Sequence, residues 1–275
     1  MTNVTASGNK ANNGGVIYAS GSANVTVNSS EFSGNTAGMG GAVYLDLGAT
    51  ADIRNSTLDG NKATNTSTYG GGGAIYVADS ATSPVSKTTL IMDTVTIQNN
   101  TSAHRGGAIA TDDNSPYLVI DVKNCTFYKN SSTTSGGAVN IQCGNCNSAD
   151  DPTEVKIVFT NCTFTENSTK TDGGAMDIRA GSCAKIDGIT ATSNSAENAA
   201  GVVYVTSNNS RLYLTGEVNC SGNTAKVDKG PFAFLNNSSY SNPPKIYTTH
   251  SNTADWYADV AGSRGNVVFS LTELP

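Results

Sequence analysis

Apolar and polar residues alternate in short bursts along the whole chain. Val25 and Val27, Ala51 and Ile53, Leu90 and Met92, Ile120 and Val122, Ile157 and Phe159, and Ala184 and Ile186 mark six of them. A period of two held over four to eight residues predicts a strand with one buried face. Each burst runs into Phe-x-x-Asn or a relative of it: Phe32 to Asn35, Leu58 to Asn61, Ile97 to Asn100, Phe127 to Asn130 and Phe164 to Asn167. Weaker copies end at Asn9, Asn194, Asn223 and Asn252. A second motif follows each copy, as in Gly40-Gly41-Ala42-Val43-Tyr44 and Gly72-Gly73-Ala74-Ile75-Tyr76.

Each repeat thus holds three short strands separated by Gly and Asn corners, with steps of 26 to 39 residues between successive Asn. One such unit cannot bury its own face, so stability must come from stacking. The pattern predicts an all-β, single-stranded parallel β-helix of about nine coils. At about 4.8 Å per coil this is a rod of roughly 40 Å. The long steps place insertions at residues 64–70, 82–87 and 143–152.

The aliphatic residues two and four after the second Gly, such as Val43 and Leu45, are expected to face the lumen. The residue between them is Tyr18, Tyr44, Tyr76, Ala110, Asn140, Asp177 and Tyr204 in turn, then Ala233. Asn and Asp in that slot predict that it faces outward. Tyr18, Tyr44 and Tyr76 therefore form a candidate binding strip, since an exposed aromatic column can hold a sugar or another protein. Asn35, Asn61, Asn100, Asn130, Asn167, Asn194 and Asn223 are expected at a repeating corner. Asn tolerates left-handed backbone there, and in register its amides can form a ladder. Lys129 and Glu166 hold matching slots and should pair.

Composition narrows the functions. Charged residues are 14% of the chain, the formal net charge is −6, and there are 29 Gly but only 7 Pro. This disfavours helices and differs from charge-rich disorder. No basic patch suits nucleic acid, and no apolar run is long enough for a membrane span. The chain starts in mid-pattern, so residues 1–275 are read as one repeat domain from a larger surface protein.

Phe-x-x-Asn alternating with Gly-Gly-Ala-(Ile/Val/Leu) resembles the repeats of the polymorphic membrane proteins of chlamydiae. Full motif pairs span residues 32–45, 58–77, 97–109, 127–141 and 164–178. The resemblance implies a right-handed β-helix that acts as an adhesin at the cell surface or outside the cell.

Six cysteines remain. Cys125 and Cys162 occupy one slot in adjacent coils, as do Cys146 and Cys183. Stacked slots lie within disulfide range, so both pairs are candidate bridges; buried free thiols are the alternative. Cys143-x-x-Cys146 lacks a second half, so no metal or other cofactor is expected. The enzyme reading rests on Asp112, Asp113, Asp172 and Asp177 with Arg105, Lys156 and Arg179. No acid ladder is expected among them, and they read as a solvated face. An ice-binding reading needs a regular Thr array, and the Thr read as loop residues. Asn-x-Ser/Thr triplets, at Asn24, Asn55, Asn100, Asn124 and Asn161, follow from composition. The expected function is non-catalytic adhesion or a structural stalk, with a surface protein or glycan as partner. A self-assembling fibre of end-to-end copies and a polysaccharide lyase or hydrolase are the alternatives.

Overall fold

The computed structural model describes residues 1–80, 87–113, 115–144, 155–226, 230–236, 240–251, 254–263 and 266–269. All strand pairs are parallel, and each strand pairs with its counterpart one repeat away. The result is a parallel β-solenoid of about eight turns. Three sheets run along it, of 14, nine and six strands, the last from Thr36–Ala37 to Ser195–Ala196. The only helix among the described residues is Asp255–Ala258. The ninth Phe-x-x-Asn copy ends at Asn252, which lies outside the described residues.

The sequence pattern maps onto these sheets directly. The alternating bursts form strands such as Thr50–Arg54 and Val119–Lys123, and Phe-x-x-Asn contributes Thr57–Asp59 and Thr126–Tyr128. The Gly-Gly motif contributes the nine-stranded sheet, Ile17–Ala19 through Val260–Gly262. Their inward residues form one continuous core that includes Val43, Leu45, Ile53, Leu58, Met92, Phe127, Ile141, Phe159 and Ile178. Phe127 and Phe164 stack at 4.6 Å with planes 2° apart. Trp256 lies in the core, 5.3 Å from Phe232, and its helix lies against the strand Arg211–Ser221.

Both residues of the Gly pair are needed, for different reasons. Gly136 has φ of 64°, and a Cβ there would lie 2.2 Å from the Val139 carbonyl oxygen. Gly137 has ordinary backbone, but its Cβ would lie 2.0 Å from the carbonyl oxygen of Gly174 in the next coil. The first makes the turn and the second lets coils approach.

The Asn corner differs from expectation. Left-handed φ falls on the residue before each Asn: Gly34, Gly60, Asn99, Lys129, Glu166, Ser193 and Gly222. The Asn itself serves as a rung. From Asn9 through Asn223, each Nδ2 donates to Oδ1 of the next Asn at 2.9–3.0 Å. Each backbone N–H donates to the same oxygen. The second Nδ2 hydrogen reaches a carbonyl one coil back, as from Asn130 to Ile97. The five rungs from Asn35 to Asn167 are fully buried and satisfied.

The outward Thr are also more ordered than expected. Thr57, Thr96, Thr126, Thr163 and Thr190 form one in-register strand column rather than scattered loop positions. A second outward column holds the left-handed turn at Ser29, Asn55, Thr94, Asn124 and Asn161. The triplets at Asn55, Asn124 and Asn161 arise here from register: Asn supplies the turn and Thr the outward strand position two residues on. Lys129 and Glu166 pair as expected, at 3.5 Å.

Candidate functional site

The outer face of the nine-stranded sheet carries the expected column, with one slip: Phe234, not Ala233, pairs with Tyr204. Ala233 lies in the lumen, because Gly230 and Pro231 stand where other coils have Gly-Gly. The tyrosines stack, Tyr18 on Tyr44 at 5.2 Å and Tyr44 on Tyr76 at 5.5 Å. They do not form an exposed strip. Tyr18 is 57% exposed, but Tyr44 is 8% and Tyr76 1%. The insertion at 64–70 lies over the column, and the Tyr76 hydroxyl lies 2.8 Å from the Tyr69 carbonyl and from Asp112 Oδ1. Burial pushes the Tyr44 and Tyr76 hydroxyls well above their ordinary pKa.

Further along this face, the candidate acids and bases are drawn together. Arg105, buried, reaches Gln142 Oε1 at 2.6 Å and Asp113 Oδ1 at 2.7 Å, and Gln142 donates on to Asp113. Ala110, the small residue in this column, leaves room for the guanidinium stem; a Cβ on the adjacent Gly71 would touch both Ala110 and Arg105. One coil on, Asn140 donates to Asp177 at 3.0 Å, and Arg179 pairs with the same carboxylate. Asp172 accepts from Asn198. This is a buried band of cross-coil polar contacts and not the solvated face expected. Asn140 and Asp177 are 0% exposed. Asn140 Oδ1, Asp177 Oδ1 and Arg179 Nε have no hydrogen-bond partner. Burial raises the carboxyl pKa of Asp112 and Asp172 and lowers the imidazole pKa of His104. Lys156 stands apart, just before the strand Ile157–Thr165 of the 14-stranded sheet, where its carbonyl accepts from the Ile120 N–H.

The cysteines contribute no described cross-coil clip at Cys125 and Cys162. Both are free, buried thiols. They point side by side into the lumen, and each sulfur hydrogen-bonds a carbonyl two residues back, Lys123 and Thr160. Ser30 and Ser56 make the same bond in the same slot, while buried Val95 and Ile189 fill it with apolar side chains in other coils. Burial pushes the thiols up to about 11 and about 12. Of the second expected pair, Cys183 is disulfide-bonded, and Cys146 lies outside the described residues. Cys143 is buried, with its Sγ near Ser182 Oγ. No cluster of three metal-ligating side chains occurs among the described residues.

A further concave surface lies on the six-stranded sheet, where the sequence offered no motif. A groove of about 580 Å³ runs along it from Lys62 to Glu197. Its floor is a register column of Lys62, Thr101, Ser131, Ser168 and Ser195. Ala103, Thr133, Lys170 and Glu197 line one wall. Only a column alignment of Ser and Thr after each Asn would have revealed it.

Four stretches, residues 29–46, 55–78, 94–112 and 124–142, match the model of the Chlamydia polymorphic membrane protein repeat. The chain carries this repeat on a parallel β-solenoid, as its motif pairs implied. No curated protein and no solved structure matches it.

Proposed function

We propose that this chain is a non-catalytic, surface-associated β-helix that serves adhesion, a rod whose long faces meet a host or neighbouring-cell surface. The carrying observation is how its would-be catalytic groups are used. Asp177 is 0% exposed and held by Asn140 and Arg179, and Arg105 is locked to Asp113 and Gln142. A polymer substrate cannot reach a carboxylate without solvent exposure, and a general acid or base must lie within hydrogen-bond reach of its substrate. The groups instead fasten one coil to the next. The match to a repeat of a surface protein family supports the location and the adhesive role. No helix among the described residues is long and apolar enough to cross a membrane.

Display of the chain on a carrier bacterium tests this reading. Adherence to cultured epithelial cells should rise well above that of the bare carrier. Equal adherence removes the adhesive role. Turnover of any polysaccharide that disappears in Asp177→Asn removes the non-catalytic one.

A further inference from the structure

The groove on the six-stranded sheet is flanked by lysines. Lys62 and Lys170 line it. Lys10 extends the Lys62 column through Thr36, and Lys226 follows Thr224, the next member of the Ser195 column. All four side chains are exposed, and none makes an ion pair among the described residues. Glu197, between Lys170 and Lys226 in register, is the one acid here. Four lysines against one glutamate stand out in a chain whose formal net charge is −6.

The floor between the lysines is chemically uniform. Thr101, Ser131, Ser168 and Ser195 repeat at the coil spacing of about 4.8 Å, and each hydroxyl both donates and accepts. Five coils from Lys62 to Ser195 give a track of about 19 Å. No aromatic side chain lines the track. That disfavours nucleic acid, whose single strands need stacking platforms. It also disfavours neutral sugars held on aromatic faces.

We infer that this groove takes an anionic polysaccharide, laid parallel to the solenoid axis with its sulfate or carboxylate groups on Lys62 and Lys170 and its hydroxyls on the Ser and Thr column. This deepens the adhesion reading and rests on it. Exposed lysines hold polyanions mainly by charge and counterion release, so binding must be salt-dependent.

The test uses the whole chain, a sulfated glycosaminoglycan, the same glycan after desulfation, and single-stranded DNA. The sulfated glycan should bind, and affinity should fall roughly tenfold between about 50 and 200 mM salt, as expected for a few displaced counterions. Lys62→Glu with Lys170→Glu should weaken it at least tenfold. Lys87→Glu, two residues before the strand Thr89–Asp93, with Lys185→Glu in the strand Cys183–Thr192, an equal charge change away from the groove, should change it less than twofold. Glu197→Gln should tighten it several-fold, an outcome that misfolding cannot mimic. Equal binding of sulfated and desulfated glycan, equal loss in both double variants, or tighter binding of DNA overturns the proposal. Adherence that persists on cells stripped of sulfated glycans would overturn this ligand while leaving adhesion standing. Loss of adherence to all cells would remove both.

Discussion

Replacing Asn130 by Ala should show what one ladder rung is worth. Asn130 is fully buried. Its Oδ1 accepts from Asn100 N at 3.1 Å and from Asn100 Nδ2 at 2.9 Å. Its Nδ2 donates to Asn167 Oδ1 and to the Ile97 carbonyl. Alanine removes all four bonds. Asn167 Oδ1 keeps the Asn130 backbone N–H, but two Asn100 donors are left without partners. At about 1–3 kcal/mol for each orphaned buried group, the cost is about 2–6 kcal/mol. Asn9 is the contrast. It is exposed and makes only one side-chain bond along the ladder, so Asn9→Ala should cost less than about 1 kcal/mol. Denaturant midpoints give the ranking. Amide exchange at Asn100 locates the damage, because a solenoid can open locally without unfolding whole. Asn130→Asp adds a pH signature. Its buried carboxylate has a raised folded pKa, so its penalty should grow as pH rises above about 4. A cost for Asn130→Ala equal to that for Asn9→Ala, or unchanged exchange at Asn100, would refute the ladder as a source of stability.

Other substitutions probe the remaining features. Gly137→Ala should destabilise by about 2 kcal/mol or more, since the new methyl meets backbone of the next coil; a midpoint shift near zero would mean the coils are more loosely spaced. The free thiols at Cys125 and Cys162 should resist a thiol reagent at pH 8 and react only on denaturation, because burial holds them up at about 11 and about 12. Asp112 and Asp172 have raised folded pKa values, so their stabilising contribution is present below about pH 4 and is lost as pH rises through the raised values. Asp112→Asn with Asp172→Asn should flatten that part of the stability–pH curve, which an unchanged slope would contradict. Tyr76→Phe should cost about 1 kcal/mol through the hydrogen bonds lost at Asp112 and Tyr69, measured as a lower midpoint.

The register of this fold is written in residues with hard steric demands, and for that reason it is legible. Gly136 and Gly137 tolerate no side chain, and Phe127 with Asn130 fixes the phase of each coil. Insertions between repeats fall outside these anchors and leave the phase intact. What the repeat could not convey is what covers a face. Tyr44 and Tyr76 fill outward slots, as their neighbours Asn140 and Asp177 required, but the insertion at 64–70 crosses over them. Burial there depends on a loop with no repeat. Asp177 and Asn140 share the outward column, yet the pattern does not show that they pair across coils, nor that Arg105 reaches Gln142, which has no motif. Cys125 and Cys162 share a slot at bridging distance, but their direction into the lumen and the nearby carbonyls favour two thiols. The left-handed corner lies one residue before the Asn that the pattern points to, because Asn is common both in such turns and in ladders. At Lys129 and Glu166 the chain accepts strained backbone in order to keep the ladder.

The ladder also has a direction. In a parallel sheet the peptide groups of each strand point alternately up and down the stack, and their dipoles largely cancel. The eight asparagine amides from Asn9 to Asn223 all point the same way. At about 3.5 D each they sum to roughly 28 D, with the positive end toward Asn223, and neighbours polarise one another. Every rung therefore offers the same donor pair on one side and the same acceptor on the other. Whole repeats can be duplicated or excised without breaking this coupling, while a reversed repeat would set donors against donors. The rod can change its length through evolution, but not its polarity.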